Sequence, residues 1–176
     1  IKGPQRQLLE DYLKNIQGSD FAEKIAGVSK FYTDGSGMIE RSAGSDRTKR
    51  IVQAISYLVF YKTLTKIITN FNASSAGFSF ESFLGALVNG YQIPANTGTI
   101  ADYIDRATGK EIPVSLKLYK EGQLEVGGSY TDLVNDLVDP KYPGSIGGAM
   151  RYVVCTKSLT GTDLEQTGRI DFYQFD

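Results

Sequence analysis

Apolar residues recur at three- and four-residue spacing through the first seventy positions of the chain; beyond them, runs of alternating character appear between shorter helical patterns. Pro4 opens a helix carrying Leu8, Leu9, Tyr12, Leu13 and Ile16 that ends at Gly18. A second helix is predicted from Ser19-Asp20, with Phe21, Ile25 and Val28 on its apolar side. Thr33-Asp34-Gly35-Ser36-Gly37 and Ser42-Ala43-Gly44-Ser45 read as turn and loop. From Asp46 to Asn70 one long helix is predicted. Its residues Ile51, Ile55, Leu58, Val59, Tyr61, Leu64, Ile67 and Ile68 form a broad apolar stripe expected to pack on the neighbouring helices or a sheet.

The small-residue stretch Asn72 to Gly77 reads as a linker, followed by a helix with Phe80, Phe83, Leu84, Leu87 and Val88 that Asn89-Gly90 closes. Two short runs, Thr99 to Asp105 and Pro113 to Tyr119, flank a polar stretch containing Gly109 and predict a β-hairpin. A helix from Ser129 carries Tyr130, Leu133, Val134, Leu137 and Val138 and stops at Asp139-Pro140. Met150 to Thr156 and Arg169 to Phe175 read as strands joined by the polar Leu159 to Thr162 region. The order αββαββ after residue 77 predicts an α/β (α+β) fold built on a mixed sheet. Residues 1–72 then form a helical N-terminal region and 77–176 the α/β core, in one compact unit. A chain that ends inside a strand, at Phe175-Asp176, is expected to be a fragment of a longer protein.

Composition narrows the chemistry. A chain of 176 residues with 41% hydrophobic content can bury a sizeable core. It has no histidine and one cysteine, Cys155, so histidine-based triads and relays, His- or Cys-ligated zinc and internal disulfides are excluded. Catalysis must run on carboxylates, lysines, hydroxyls and an oxygen-ligated ion such as Mg²⁺ or Mn²⁺. The lone cysteine, the absence of a visible signal peptide and an apolar run, Ile55 to Tyr61, far short of the roughly 20 residues a membrane helix needs predict a cytoplasmic, reducing location without membrane contact. Residues 1–76 carry 11 basic against 7 acidic side chains and residues 77–176 carry 8 against 13, which suits phosphate contact in one half and cation binding in the other. Arg41, Arg47, Lys49 and Arg50 cluster before the long helix and read as a solvated helix start rather than a DNA contact.

The chemically most suggestive residues are Asp102 and, fifteen positions later, Lys117. Alternation places Asp102 with Ile100 and Ile104, and Ser115 with Lys117 and Tyr119, so a carboxylate and an ammonium can meet across adjacent strands. With Glu81 on the preceding helix, Ser115-Leu116-Lys117 in the following strand and a helix from Ser129, the last hundred residues resemble the PD-(D/E)xK nuclease superfamily, whose core follows the order αβββαβ.

The resemblance implies a restriction-endonuclease-like fold and a Mg²⁺- or Mn²⁺-dependent endonuclease acting on DNA. Asp102 would be the primary metal ligand, the backbone carbonyl of Leu116 a further contact, Lys117 the residue that orients the attacking water, and Glu81 the completing acid. Ser115 departs from the family, which normally has Asp or Glu there; a carboxylate from the next helix would compensate, nominating Asp132. Each residue also has a plainer reading. Asp102 suits a strand-end acid, Lys117 a solvated strand face, Glu81 the helix dipole, and Ser129-Tyr130-Thr131-Asp132 a capping box. The competing function is a non-enzymatic structural or interaction protein, such as a viral particle component, with a degraded site. Nucleic acid is the expected partner, and a homodimer is compatible with the chain.

Overall fold

A computed structural model describes residues 4–14, 16–69, 79–94, 97–120, 129–138, 150–162 and 167–176. The chain divides into two units, Ile1–Phe80 and Glu81–Asp176.

The first unit is helical: α1 Pro4–Lys14, α2 Phe21–Thr33, α3 Gly35–Ala43 and α4 Arg47–Thr69. Asp20 caps α2 by accepting from the Glu23 N–H at 2.9 Å, which satisfies one of the helix's orphan donors, and the Glu23 carboxylate reaches back to the N–H of Ser19, just before the cap, at 2.7 Å. The predicted turn and loop between residues 33 and 45 are instead mostly the helix α3. Asp34 serves both helices, its N–H bonding to the Lys30 carbonyl at 2.9 Å and its own carbonyl receiving the Met38 N–H at 3.1 Å. The glycines misled because their role is packing: a Cβ at Gly35 would collide with the Tyr57 ring of α4. Gly44, with φ of 55°, ends the helix as a left-handed residue should.

The core of this unit holds Leu9, Leu13, Phe21, Val28, Phe31, Leu64 and Ile67, with an aromatic cluster around Phe31. Tyr12 stacks on Phe60 at 4.8 Å between centroids, and Phe31 contacts Tyr12, Tyr32 and Tyr57. Burial pushes the Tyr12 phenol up to about 12, with the neighbouring Tyr57 adding to it. Helix α4 runs as predicted, but its stripe does not pack as one face. Tyr57, Phe60, Tyr61, Leu64 and Ile67 face the cluster or the core. Ile51, Val52, Ile55, Leu58 and Val59 are exposed, from 52% to 63%, and Ile68 is half-buried. At 3.6 residues per turn these two sets point to different sides of one cylinder, and only the first meets partners.

The second unit runs α5 Phe80–Leu87, β1 Tyr91–Gln92, β2 Tyr103–Asp105, β3 Ile112–Lys120, α6 Tyr130–Val138, β4 Arg151–Thr160 and β5 Thr167–Phe175. The five strands form one mixed sheet in the order β1-β2-β3-β4-β5. Only β3 and β4 are parallel, and α6 lies in the crossover between them, as a parallel connection requires. The strand β1 escaped the sequence reading because two residues carry no periodicity. Gly90 lets it form, since a Cβ there would run into the Ile104 carbonyl. Asn89, with φ of 58°, and Gly90 close α5 as predicted. The predicted stop at Asp139-Pro140 lies outside the described residues.

Register and alternation put Ile104, Ser115, Lys117 and Tyr152 on one face of the sheet and Tyr103, Asp105, Val114, Leu116 and Arg151 on the other. Leu133 and Leu137 of α6 pack on the first face with Ile93, Ala101, Ile104 and Met150. On the second, Arg151 donates to the fully buried Asp105 at 3.0 Å, and Asp105 also accepts the Ala107 N–H at 2.7 Å. This ion pair spans β2 and β4 across β3. Arg151→Ala leaves the Asp105 carboxylate buried without its cation, so the sheet unit should lose about 3–5 kcal/mol. Urea unfolding with an unchanged denaturant slope measures the loss.

Candidate active site

Three pieces of the second unit carry Glu81, Asp102 and Lys117, whose charges act on one another at Asp102. Glu81 stands in the first turn of α5, Asp102 immediately before β2, and Ser115, Leu116 and Lys117 in the middle of β3. The backbone of Asp102 is bound on both sides, its N–H to the Val114 carbonyl at 2.8 Å and its carbonyl to the Ile93 N–H at 2.9 Å. The β2–β3 ladder ends at Tyr103 paired with Val114, and beyond it the Asp102 carboxylate accepts the Leu116 N–H at 2.6 Å. A side chain therefore stands in for the next backbone acceptor.

The half-buried Asp102 carboxyl is raised above its ordinary value. Burial is the main cause, and the nearby Glu81 charge adds to it; the Leu116 N–H and the Lys117 ammonium pull the other way. Glu81, Asp102 and Lys117 thus share one electrostatic neighbourhood. Among the described residues, Lys117 makes no ion pair or side-chain hydrogen bond.

Gln92 is a member that sequence reasoning missed. The Ser82 hydroxyl donates to its side-chain oxygen, which turns the amide nitrogen toward the Glu81 carboxylate at 3.4 Å. No sequence signal marks it, because its position depends on β1.

The other candidates separate. Ser115 is fully buried, and its hydroxyl has no hydrogen-bond partner among the described residues. Asp132 sits in the first turn of α6, where the Ser129 hydroxyl accepts its N–H at 3.2 Å, the capping geometry. Its charge does not figure at Asp102. The buried acid of α6 is instead Asp136, which accepts from the Thr99 hydroxyl and the Ile100 N–H, both at 2.7 Å, and so ties α6 to the segment leading into Asp102. Cys155 is buried in β4 with its thiol pushed far up by burial, which removes it from any nucleophilic role.

Among the described residues no three acidic, histidine or cysteine side chains gather as a metal cluster. The available set is two carboxylates, Glu81 and Asp102, with the Leu116 carbonyl turned to the same strand edge as its N–H. An all-oxygen set with one or two carboxylates suits Mg²⁺ or Mn²⁺, which keep several waters, better than any softer ion. No protein-family model, no curated protein and no solved structure matches the chain.

The raised Asp102 carboxyl fixes a sign. A group whose folded pKa lies above its unfolded value favours the fold when protonated, and that contribution is lost as pH rises through the folded value. Asp102→Asn keeps an acceptor for the Leu116 N–H without the charge. The variant should therefore be at least as stable as the wild type at neutral pH, the difference closing as pH falls through the carboxylate range. Thermal melts of both proteins across that range measure it; a wild type more stable at neutral pH would contradict the burial argument.

Proposed function

We propose that this chain is a metal-dependent nuclease, with DNA as its substrate, on a restriction-endonuclease-like fold. The observation that carries the reading is the convergence at Asp102: a half-buried carboxylate influenced by a second acid, Glu81, and by an otherwise unengaged ammonium, Lys117. The element order α5-β1-β2-β3-α6-β4 supports it, since it coincides with the αβββαβ order of the PD-(D/E)xK core.

In this reading Asp102, Glu81 and the Leu116 carbonyl would hold the ion, which supplies positive charge beside the scissile phosphate and activates water. Lys117 would sit next to the attacking water and hold it in line, while Gln92 would keep Glu81 turned toward the site. Cleavage tested this way should lose about 10²–10⁴-fold in rate in Lys117→Ala, with metal affinity nearly unchanged. Asp102→Ala should lose metal binding and cleavage together.

A specific observation favours a second reading, a non-enzymatic structural or interaction protein with a degraded site. Ser115, where the family has an acid, is a buried hydroxyl rather than a ligand. Ser115→Asp distinguishes the two. A new carboxylate at that depth should lower the melting temperature of the metal-free protein and make it rise on adding Mn²⁺, because an ion bound only by the folded state stabilises it. Absence of any Mn²⁺ effect in this variant, with no nicking of supercoiled DNA by the wild type, would leave the structural reading standing.

A further inference from the structure

The outer face of α4 is apolar, cationic at both ends and free of acids, and it belongs to the first unit, apart from the site described above. Ile51, Val52, Ile55, Leu58 and Val59 lie at the i, i+1, i+4, i+7, i+8 spacing of a single helical face, and all five are more than half exposed. The same line continues in steps of three or four to Arg47 at one end and to Lys62 and Lys66 at the other, all exposed. Across its 23 residues α4 has five basic side chains and no Asp or Glu.

That charge pattern selects the occupant. A second copy of α4 laid on the first would oppose cations to cations in either direction, antiparallel or parallel, and like charges at such a contact repel. The occupant must bring negative charge at both ends of an apolar strip, with Arg47 and Lys62 about 22 Å apart at 1.5 Å per residue. A folded protein would need two acidic sites at that separation. An anionic bilayer presents phosphates wherever the cations fall, and accepts the aliphatic side chains between them.

By length and composition Arg47–Thr69 falls within the range of a membrane span. The opposite face of the helix nevertheless excludes insertion of the packed domain, since Tyr57, Phe60 and Tyr61 are engaged in the aromatic cluster and Leu64 and Ile67 are fully buried. We propose that α4 is a peripheral membrane-docking element that lies flat on an anionic lipid surface, its five aliphatic side chains in the headgroup boundary and Arg47, Lys62 and Lys66 on lipid phosphates.

The test is cosedimentation of the full chain with vesicles of phosphatidylcholine containing about 30% phosphatidylserine, against pure phosphatidylcholine. The protein should partition to the anionic vesicles and be released at roughly 0.5 M NaCl, where the Debye length has shrunk to a few ångströms. Ile55→Glu with Leu58→Glu should cut the bound fraction about tenfold, and Lys62→Glu with Lys66→Glu should do likewise. These positions are exposed, and unchanged circular dichroism melts would show that the variants keep the fold. Equal recovery with neutral, anionic and no vesicles would overturn the proposal. So would a concentration-dependent dimer, seen by sedimentation velocity, that the Ile55→Glu and Leu58→Glu pair abolishes, because the face would then join copies of the chain.

Discussion

Everything distinctive in the second unit depends on how Asp102 is fastened where β2 leaves β3. Its N–H and carbonyl are spent on Val114 of β3 and on Ile93 just past β1, so its backbone cannot drift from the sheet. The carboxylate then takes the Leu116 N–H, a donor that would otherwise go unpaired where the ladder stops. Fixing Asp102 in this way also fixes its distance from Lys117, one residue past Leu116 on the same strand. The two-residue strand β1 completes the arrangement, because Ile93 binds Asp102 while the adjacent Gln92 reaches Glu81.

Burial alone would have selected other acids than Asp102. Asp105 and Asp136 are the most deeply buried carboxylates described in this unit; Asp105 is matched to the Arg151 guanidinium and a backbone N–H, whereas in Asp136 one oxygen takes a hydroxyl and a backbone N–H and the other has no hydrogen-bond partner among the described residues. The Asp105–Arg151 pair holds strands in place, and removing one partner costs more than the pair contributes, while Asp136 fastens α6 to the segment before Asp102 through its two hydrogen bonds. Asp102 is less buried than either, and its charge is opposed rather than neutralised. One N–H and a nearby lysine do not offset its desolvation and the second acid, which is the condition under which a carboxyl is raised and available for chemistry.

What was legible in the sequence follows from how local each signal was. Helices α2 and α5 were readable because caps and glycines mark their ends, and Ser129 does cap α6 as its spacing suggested; α1 starts at Pro4 as predicted but ends at Lys14, short of Ile16 and Gly18. The hairpin of β2 and β3 was readable from alternation. Helix α3 was not, because Gly35 and Gly37 look like turn residues until Tyr57 of a distant helix is seen to need the space at Gly35 and the Asp34 and Arg41 side chains the space at Gly37. Nor was β1, whose two residues are strand only because β2 pairs with them. The stripe of α4 was visible as apolar, but which half is covered is decided by neighbours that no periodicity names. At the candidate site, Glu81, Asp102 and Lys117 were nominated by type and order, whereas Gln92, the depth of Ser115 and the buried role of Asp136 depend on contacts between separate elements.

The energetics of the three charged residues bear on which reading of the site is stronger. Lys117 makes no ion pair among the described residues, and a half-exposed ammonium near a carboxylate contributes little to stability. Glu81 raises the cost of ionising Asp102 rather than lowering it. Gln92 and Ser82 spend hydrogen bonds on orienting Glu81, although a partly exposed carboxylate could have been left to water. The Ser82–Gln92 bond also ties α5 to β1, but the closeness of Glu81 to Asp102 is an electrostatic cost with no offsetting ion pair among the described residues. Neutralising Asp102 would relieve that cost without loosening β3, because its neighbour Leu116 needs only an acceptor.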